Sequence, residues 1–325
     1  MPATSPRWKI PRSSRRSGVA HHRARVIACA VTVAAATWGC GSPSDPPAGP
    51  RYRPLRGDHP VVAAAGDIAC PGPPCDPERS TAAIVSRIDP DLVLALGDTQ
   101  YREGSLAEFG ASYDRSWGAF KALTRPVPGN HEYRTIGAAG YFDYFGSAAA
   151  VENGGDYSFD LGRWHVIAIN SAFPGAITDR QLDWVREDLE ASAHRCEIAY
   201  WHHPRFSSGA VEGNDPTPEL GSLWTALYGE GVEVVLNGHA HQYERFAPLD
   251  GNGAIDGAKG IREFVVGTGG GTPHPFEDEP LPGSEVRITD VHGVLELKLQ
   301  PGAYEWRFVG SDGSVLDHGA GSCHR

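Results

Sequence analysis

Asp91-Leu92-Val93-Leu94-Ala95-Leu96-Gly97-Asp98-Thr99-Gln100-Tyr101 is the stretch on which the fold turns. An unbroken apolar run ends in Gly-Asp. The same order recurs upstream, where residues 61–65 run into Gly66-Asp67, and downstream, where residues 232–236 run into Asn237-Gly238-His239. Continuous apolar runs are the pattern of strands buried on both faces, and polar residues at their carboxyl ends are where open α/β sheets place ligands. Between these runs Thr178 and Gln181 make a capping-box pattern ahead of Leu182, Val185 and Leu189 on one helical face, and residues 78–88 read as another helix. From Val286 onward the pattern alternates, as in Val294-Leu295-Glu296-Leu297-Lys298-Leu299, with a hairpin signal at Ser311-Asp312-Gly313-Ser314. The expectation is an α/β fold, with two sheets and outer helices in a single domain over residues 59–325.

The two ends of the chain read differently. Arg7, Lys9, Arg12, Arg15, Arg16, Arg23 and Arg25 stand in the first 40 residues with no Asp or Glu, and the apolar residues 26–38 follow. That order is a secretory signal, and 13 apolar residues fall short of the ~20 that a bilayer span needs. Cys40 stands where a bacterial lipoprotein signal places its lipid-modified cysteine, although Thr37 and Trp38 are unusual before it; lipidation and plain cleavage both fit. Arg15-Arg16 after Ser14 fits either a twin-arginine route or chance. Residues 41–58 are a Pro/Gly-rich tether. Export, to the cell envelope or beyond, is the expected destination. Without the seven basic residues of the signal the net charge goes from −11 to −18, which disfavours nucleic-acid binding. Four cysteines remain, Cys70, Cys75, Cys196 and Cys323, an even number that favours disulfides in an exported chain. The short separation favours Cys70 with Cys75, leaving Cys196 with Cys323; the other pairings stay open.

Five segments carry chemistry: Gly66-Asp67, Gly97-Asp98-Thr99-Gln100-Tyr101, Gly129-Asn130-His131-Glu132, Trp201-His202-His203-Pro204 and Gly238-His239-Ala240-His241. Each puts a metal-capable side chain after a strand or a glycine turn, and glycine permits close backbone approach. Singly, a Gly-Asp is more often a turn and a histidine more often a packed or surface residue. Five in this order resemble the ordered motifs of the calcineurin-like metallophosphoesterase superfamily, and the tyrosine three residues after the second Asp resembles its purple acid phosphatase branch.

The resemblance implies a four-layer α-β-β-α sandwich with two central mixed sheets and a dinuclear metal centre. Asp67, Asp98, Tyr101 and His241 would hold the first ion, and Asn130, His202 and His239 the second, with Asp98 shared. A phenolate with carboxylates is a hard anionic set suited to Fe(3+), whereas two imidazoles, an amide oxygen and a shared carboxylate suit a divalent Fe, Zn or Mn ion. Two such ions orient a phosphate ester and lower the pKa of a water, so the nucleophile is hydroxide rather than a side chain. His131 is expected to contact the phosphate and stabilise charge in the transition state. His203 is a candidate substrate contact or a support for His202, and Arg205 or Arg134 a candidate partner for a terminal phosphate dianion. Many relatives carry a histidine in the loop after His-Pro; here residues 207–215 contain none. Glu212 or His131 alone is left to assist the leaving group, which predicts a preference for activated esters.

Other features read blandly. Asp250-Gly251-Asn252-Gly253 resembles part of a calcium loop without its closing Glu and suits a hairpin turn, and Gly269-Gly270-Gly271 lacks the Lys-Ser/Thr of a phosphate loop, although it could bring backbone close to the metal cleft. His165 sits in an alternating strand and reads as structural. The expected activity is hydrolysis of small phosphate monoesters. A phosphodiesterase acting on nucleotides or phospholipid head groups is the rival within the fold, and a non-catalytic exported metal-binding module the rival from another class. The intact set of seven ligands weighs against the module.

Overall fold

The computed structural model describes residues 57–172, 177–210 and 217–324, so the signal, Cys40, most of the tether and Glu212 lie outside the described residues. Each apolar run becomes a strand. The elements in order are β1 (Val61–Ala65), α1 (Asp76–Ile88), β2 (Leu92–Leu96), α2 (Leu106–Ala111), β3 (Thr124–Val127), α3 (Ala139–Phe145), β4 (Tyr157–Leu161), β5 (Trp164–Ala168) and α4 (Asp179–Ala191). They continue with β6 (Cys196–Tyr200), α5 (Gly221–Glu230), β7 (Val234–Asn237), β8 (Tyr243–Phe246), β9 (Arg262–Val266), β10 (Ser284–Ile288), β11 (Gly293–Gln300), β12 (Ala303–Gly310) and β13 (Val315–Ser322). Helix α1 starts two residues ahead of its sequence reading because Pro77 is tolerated in the first turn, where no helical N–H bond is lost.

The strands form two mixed sheets, in the orders β13-β12-β11-β1-β2-β3 and β10-β8-β9-β7-β6-β5-β4. Strands β1, β2 and β3 run parallel, as do β5, β6, β7 and β9, while the strands flanking them are antiparallel. The two-residue period of a strand divides the second sheet between two cores. Ile198, Tyr200, Val234, Leu236, Phe264 and Val266 join the core shared with β1, β2, β11 and β12. The alternate residues Ala199, Trp201, Val235 and Val265 pack with Leu182, Val185 and Leu189 of α4 and Leu223, Trp224 and Leu227 of α5. Helix α1 covers β11 and β12. This is the expected four-layer arrangement.

Local chemistry sets the element ends. Thr178 accepts from the Gln181 N–H and the Gln181 side chain reaches back to the Thr178 N–H, so the capping box at α4 is formed. The favoured cysteine pairing is the one observed: Cys70–Cys75 and Cys196–Cys323, the latter tying the end of β13 to the start of β6. No described helix is long and apolar enough to cross a membrane.

Candidate active site

All the parallel strands that carry motif residues deliver them at their carboxyl ends, on one edge of the sandwich. Asp67 follows β1, Asp98 follows β2, the loop with Asn130 and His131 follows β3, His202 follows β6, and His239 and His241 lie between β7 and β8. Backbone hydrogen bonds join the strand ends: Asp67 N–H to Gly97 O at 3.0 Å, Gly66 N–H to Val266 O at 2.9 Å, and Gly238 N–H to His202 O at 3.0 Å.

Three candidate ligands have left-handed backbone: Asp67 (φ 58°), Asp98 (φ 45°) and His239 (φ 70°). For residues with a Cβ each such conformation costs ~1–3 kcal/mol and persists where the surroundings enforce it. Here the enforcement is crowding. A Cβ on Gly97 would lie 2.5 Å from Nδ1 of His202, and one on Gly238 would lie 2.8 Å from Oδ2 of Asp67. Glycine before the ligand therefore lets the two strand ends approach until their side chains converge.

The donor atoms meet in two sets. In one, Tyr101 Oη lies 2.8 Å from Asp67 Oδ1 and 2.9 Å from His241 Nε2, and Asp67 Oδ1 is 3.2 Å from His241 Nε2. His241 Nδ1 donates to the Thr272 carbonyl at 2.8 Å, which leaves Nε2 facing Asp67 and Tyr101; burial opposes charge on this ring, but Asp67 raises its pKa. In the other, His202 Nε2, His239 Nδ1 and Asn130 Oδ1 lie 3.1 to 3.2 Å from one another. His202 Nδ1 donates to Leu96 O at 2.8 Å, which leaves Nε2 facing Asn130, His239 and Asp98. Asp98 lies between the sets, with Oδ2 3.5 Å from His202 Nε2, and the ligand atoms of Asp67, Asp98 and His202 all fall within 4.8 Å of one another.

Such convergence of lone pairs is unfavourable unless positive charge sits among them. Burial opposes charge on His202, yet the adjacent Asp98 raises its pKa to about 9, so the site holds positive charge there as a proton or as a cation. Burial, followed by Asp67 and Asp98, holds the Tyr101 phenol well above its ordinary value, so a phenolate at this place requires a cation beside it. The donor chemistry thus fits two ions: phenolate, carboxylates and one imidazole on one side, and two imidazoles, an amide oxygen and the shared carboxylate on the other.

His131 projects into the cleft. Its Nδ1 donates to Arg102 O at 2.7 Å, which leaves Nε2 directed inward, 3.9 Å from Asp98 Oδ2. His203 bonds through Nδ1 to Ser171 Oγ at 2.9 Å, and its ring packs 4.6 Å from that of His239. No hydrogen bond joins it to His202 among those described; burial, then His202 and His239, keeps it neutral. Arg205 stacks its guanidinium on the Phe206 ring at 4.5 Å, and Glu263 accepts from the N–H groups of Arg205 and Phe206; like Asp67, His202 and His203 it is not among the residues lining the cleft mouth. Arg134 does line the cleft, which has a volume of about 590 Å³.

Two further residues were not singled out from sequence. Glu132 is fully buried and accepts from Asp98 N–H (3.0 Å), Thr99 Oγ1 (2.9 Å), Gln100 N–H (3.1 Å) and Gly129 N–H (2.6 Å). One carboxylate thus clamps the loop after β2 to the loop after β3. Its place in Gly129-Asn130-His131-Glu132 was the available signal. His274 lines the cleft and stacks on His241, ring centroids 4.1 Å apart, beyond the Gly269-Gly270-Gly271 turn that comes close to the metal side chains as expected.

The chain is 27% identical to purple acid phosphatase 15 of Arabidopsis thaliana over 190 residues, covering 48% of this chain and 36% of that protein. It is 26% identical to human acid phosphatase type 7 over 306 residues, covering 78% and 65%. A probable cyclic nucleotide phosphodiesterase of Rhodococcus erythropolis is 29% identical over 180 residues, covering 50% and 56%. The chain therefore spans between about a third and two thirds of these relatives' own lengths. In fold it is similar to a purple acid phosphatase from yellow lupin seeds (TM-score 0.64, 19% identity, 81% of this chain and 54% of that one). It is also similar to GAP50, the anchor in the inner membrane complex of Plasmodium (TM-score 0.59, 15% identity, 82% and 90%). The family model for calcineurin-like phosphoesterases matches residues 60–243, a span that includes every candidate ligand from Asp67 to His241, and the chain belongs to that family.

Proposed function

We propose that this protein is an exported, dinuclear metal-dependent phosphomonoesterase of the acid phosphatase kind. The observation that carries the reading is the convergence of ligand-type atoms from Asp67, Tyr101 and His241 and from His202, His239 and Asn130, with Asp98 between them. In this reading Asp67, Asp98, Tyr101 and His241 hold Fe(3+), and Asp98, Asn130, His202 and His239 hold a divalent Fe, Zn or Mn ion. When bound, the ions supply Lewis acidity toward the phosphate and lower the pKa of water. The chain's own residues do the rest. His131, oriented by its bond to Arg102 O, meets the phosphate and stabilises the charge that develops on its oxygens. Glu132 holds Asp98 against the Asn130 loop, and His203, tied to Ser171, fixes the face of His239.

The purple acid phosphatases and the acid phosphatase among the relatives support monoester hydrolysis. The relative named a probable cyclic nucleotide phosphodiesterase favours diesters as the second reading. The likeness to GAP50 shows that this fold also occurs in a protein described as an anchor, so activity is argued here from the donor atoms rather than from architecture. Two disulfides in the described body support an oxidising compartment.

The test is metal analysis and a visible spectrum of the purified protein, with hydrolysis of an aryl phosphate and of its diester. Two metals per chain, a charge-transfer band that Tyr101→Phe abolishes, and monoester turnover are expected. Colourless Zn or Mn protein that cleaves the diester transfers the assignment to the second reading, and stoichiometric metal without turnover of either ester overturns both.

A further inference from the structure

The wall of the cleft on the His131 side is positively charged although the chain as a whole is acidic. Arg102 and Arg134 both line the cleft and both are exposed. His131 fastens the two: its ring donates to Arg102 O at 2.7 Å, and its own carbonyl accepts from Arg134 N–H at 3.2 Å. Thr135 completes the joint, with its N–H and Oγ1 both donating to Glu103 O. The two arginine-bearing loops are thus held as one piece.

Two acids of these loops, Glu108 and Glu132, are already engaged, and Glu103 lies exposed next to Arg102. Glu108 accepts from the N–H groups of Arg102, Glu103 and Ser105 and from Ser105 Oγ, and Glu132 accepts four donors of its own. Among the described residues neither guanidinium forms an ion pair with a carboxylate. Depth orders the wall. The Asp98 side chain is 3% exposed and that of His131 16%, and the arginines are exposed at the mouth. A phosphate that reaches Asp98 and His131 therefore leaves the arginines beside whatever the ester's alcohol carries.

We propose that Arg102 and Arg134 form a subsite for a second anionic group on the leaving-group side of the substrate, which makes the preferred substrates phosphate esters that carry a further phosphate or a carboxylate. Planar guanidiniums at one cleft mouth suit the bidentate recognition of such groups. This rests on the phosphoesterase reading above. The subsite acts on binding rather than on the bond broken, so it separates KM from kcat.

The experiment compares 4-nitrophenyl phosphate with an alkyl bisphosphate and with a carboxylate-bearing phosphate ester, in the wild-type protein and in the Arg102→Gln/Arg134→Gln double variant. The double variant is expected to lose about tenfold or more in kcat/KM on the anionic esters through KM, as charge-assisted hydrogen bonds contribute. 4-Nitrophenyl phosphate carries no second anionic group, so its loss in the double variant is expected to be smaller, and the ratio between the esters is the readout. A loss on the bisphosphate alone assigns phosphate as the second group, and a loss on both extends the site to carboxylates; either upholds the subsite. An unchanged ratio between the esters overturns it. Should no ester turn over, the phosphoesterase reading falls by itself. Binding of a methylene bisphosphonate then decides the subsite, with equal affinity in both proteins counting against it.

Discussion

Two clusters of histidine and aspartate in this molecule have nearly the same composition and opposite chemistry. At the outer edge of the second sheet, His165 stands between Asp160 at 2.8 Å and Asp188 at 2.7 Å, and His194 reaches Asp160 at 3.3 Å. Each of these imidazole contacts ends on a carboxylate, so protons alone satisfy the cluster. In the cleft the carboxylates are joined by further ligand-type atoms: His202 Nε2 lies beside Asn130 Oδ1 and His239 Nδ1 as well as Asp98, and His241 Nε2 beside the Tyr101 hydroxyl as well as Asp67. What marks the candidate metal site is the convergence of imidazole, amide, phenol and carboxylate atoms from separate strand ends on one point, not a local abundance of His and Asp.

The largest effect that tests this contrast is expected from Asp98→Asn, because the shared carboxylate serves both donor sets. Losing several kcal/mol of charge stabilisation, at about 1.4 kcal/mol per tenfold, predicts a fall in kcat/KM on the order of a thousandfold together with lower metal content. Asp188→Asn in the edge cluster should leave both unchanged. Equal behaviour of the two variants in hydrolysis and metal analysis would erase the distinction.

A smaller loss is expected from Glu132→Gln. The new amide NH2 would confront N–H groups that now converge on a carboxylate, loosening Asp98 and the Asn130 loop without removing any candidate ligand. About 10- to 100-fold in metal affinity or activity is the expected range for such a supporting residue. Metal titration that finds wild-type affinity would show that the clamp is dispensable.

The smallest effect belongs to the edge cluster and appears in stability alone. Burial lowers the pKa of His165, but Asp188 and Asp160 outweigh it and raise the pKa to about 9, above the ordinary 6.5. The folded form binds the proton more tightly, so this stabilisation is fully present below pH 6.5 and is lost as pH rises through about 9. His165→Gln should lower the unfolding free energy most near pH 6, by ~1–2 kcal/mol once the 61% exposure of Asp160 is allowed for, with a matching drop in Tm, and hardly at all near pH 10. A Tm deficit that stays constant across that range would show that the ion pairs contribute nothing.

Much of the site was legible because its pattern is local. A buried strand must be apolar, a ligand at its end needs a tight turn, and glycine before Asp67, Asp98, Asn130 and His239 records that need in adjacent residues. The capping box at Thr178 and Gln181 and the pairing of Cys70 with Cys75 lie within five residues of sequence and were legible for the same reason. Arg205 shows what locality leaves out: three residues from His202, its backbone is held by Glu263 of β9 and its guanidinium stacks on Phe206, contacts that no neighbouring residue announces. His274, 33 residues from His241, stacks on that ring because the turn after β9 returns to the strand ends, and nothing near His274 in sequence announces it.

The sequence by itself determined the order of strands and ligands, since burial and turn formation act on neighbouring residues. Only the tertiary structure decided which charges face the cleft, which carboxylates are already saturated and which lone pairs are left to one another. Those properties depend on contacts between strand ends far apart in the chain, and hydrogen-bond satisfaction can be counted only once both partners are in place.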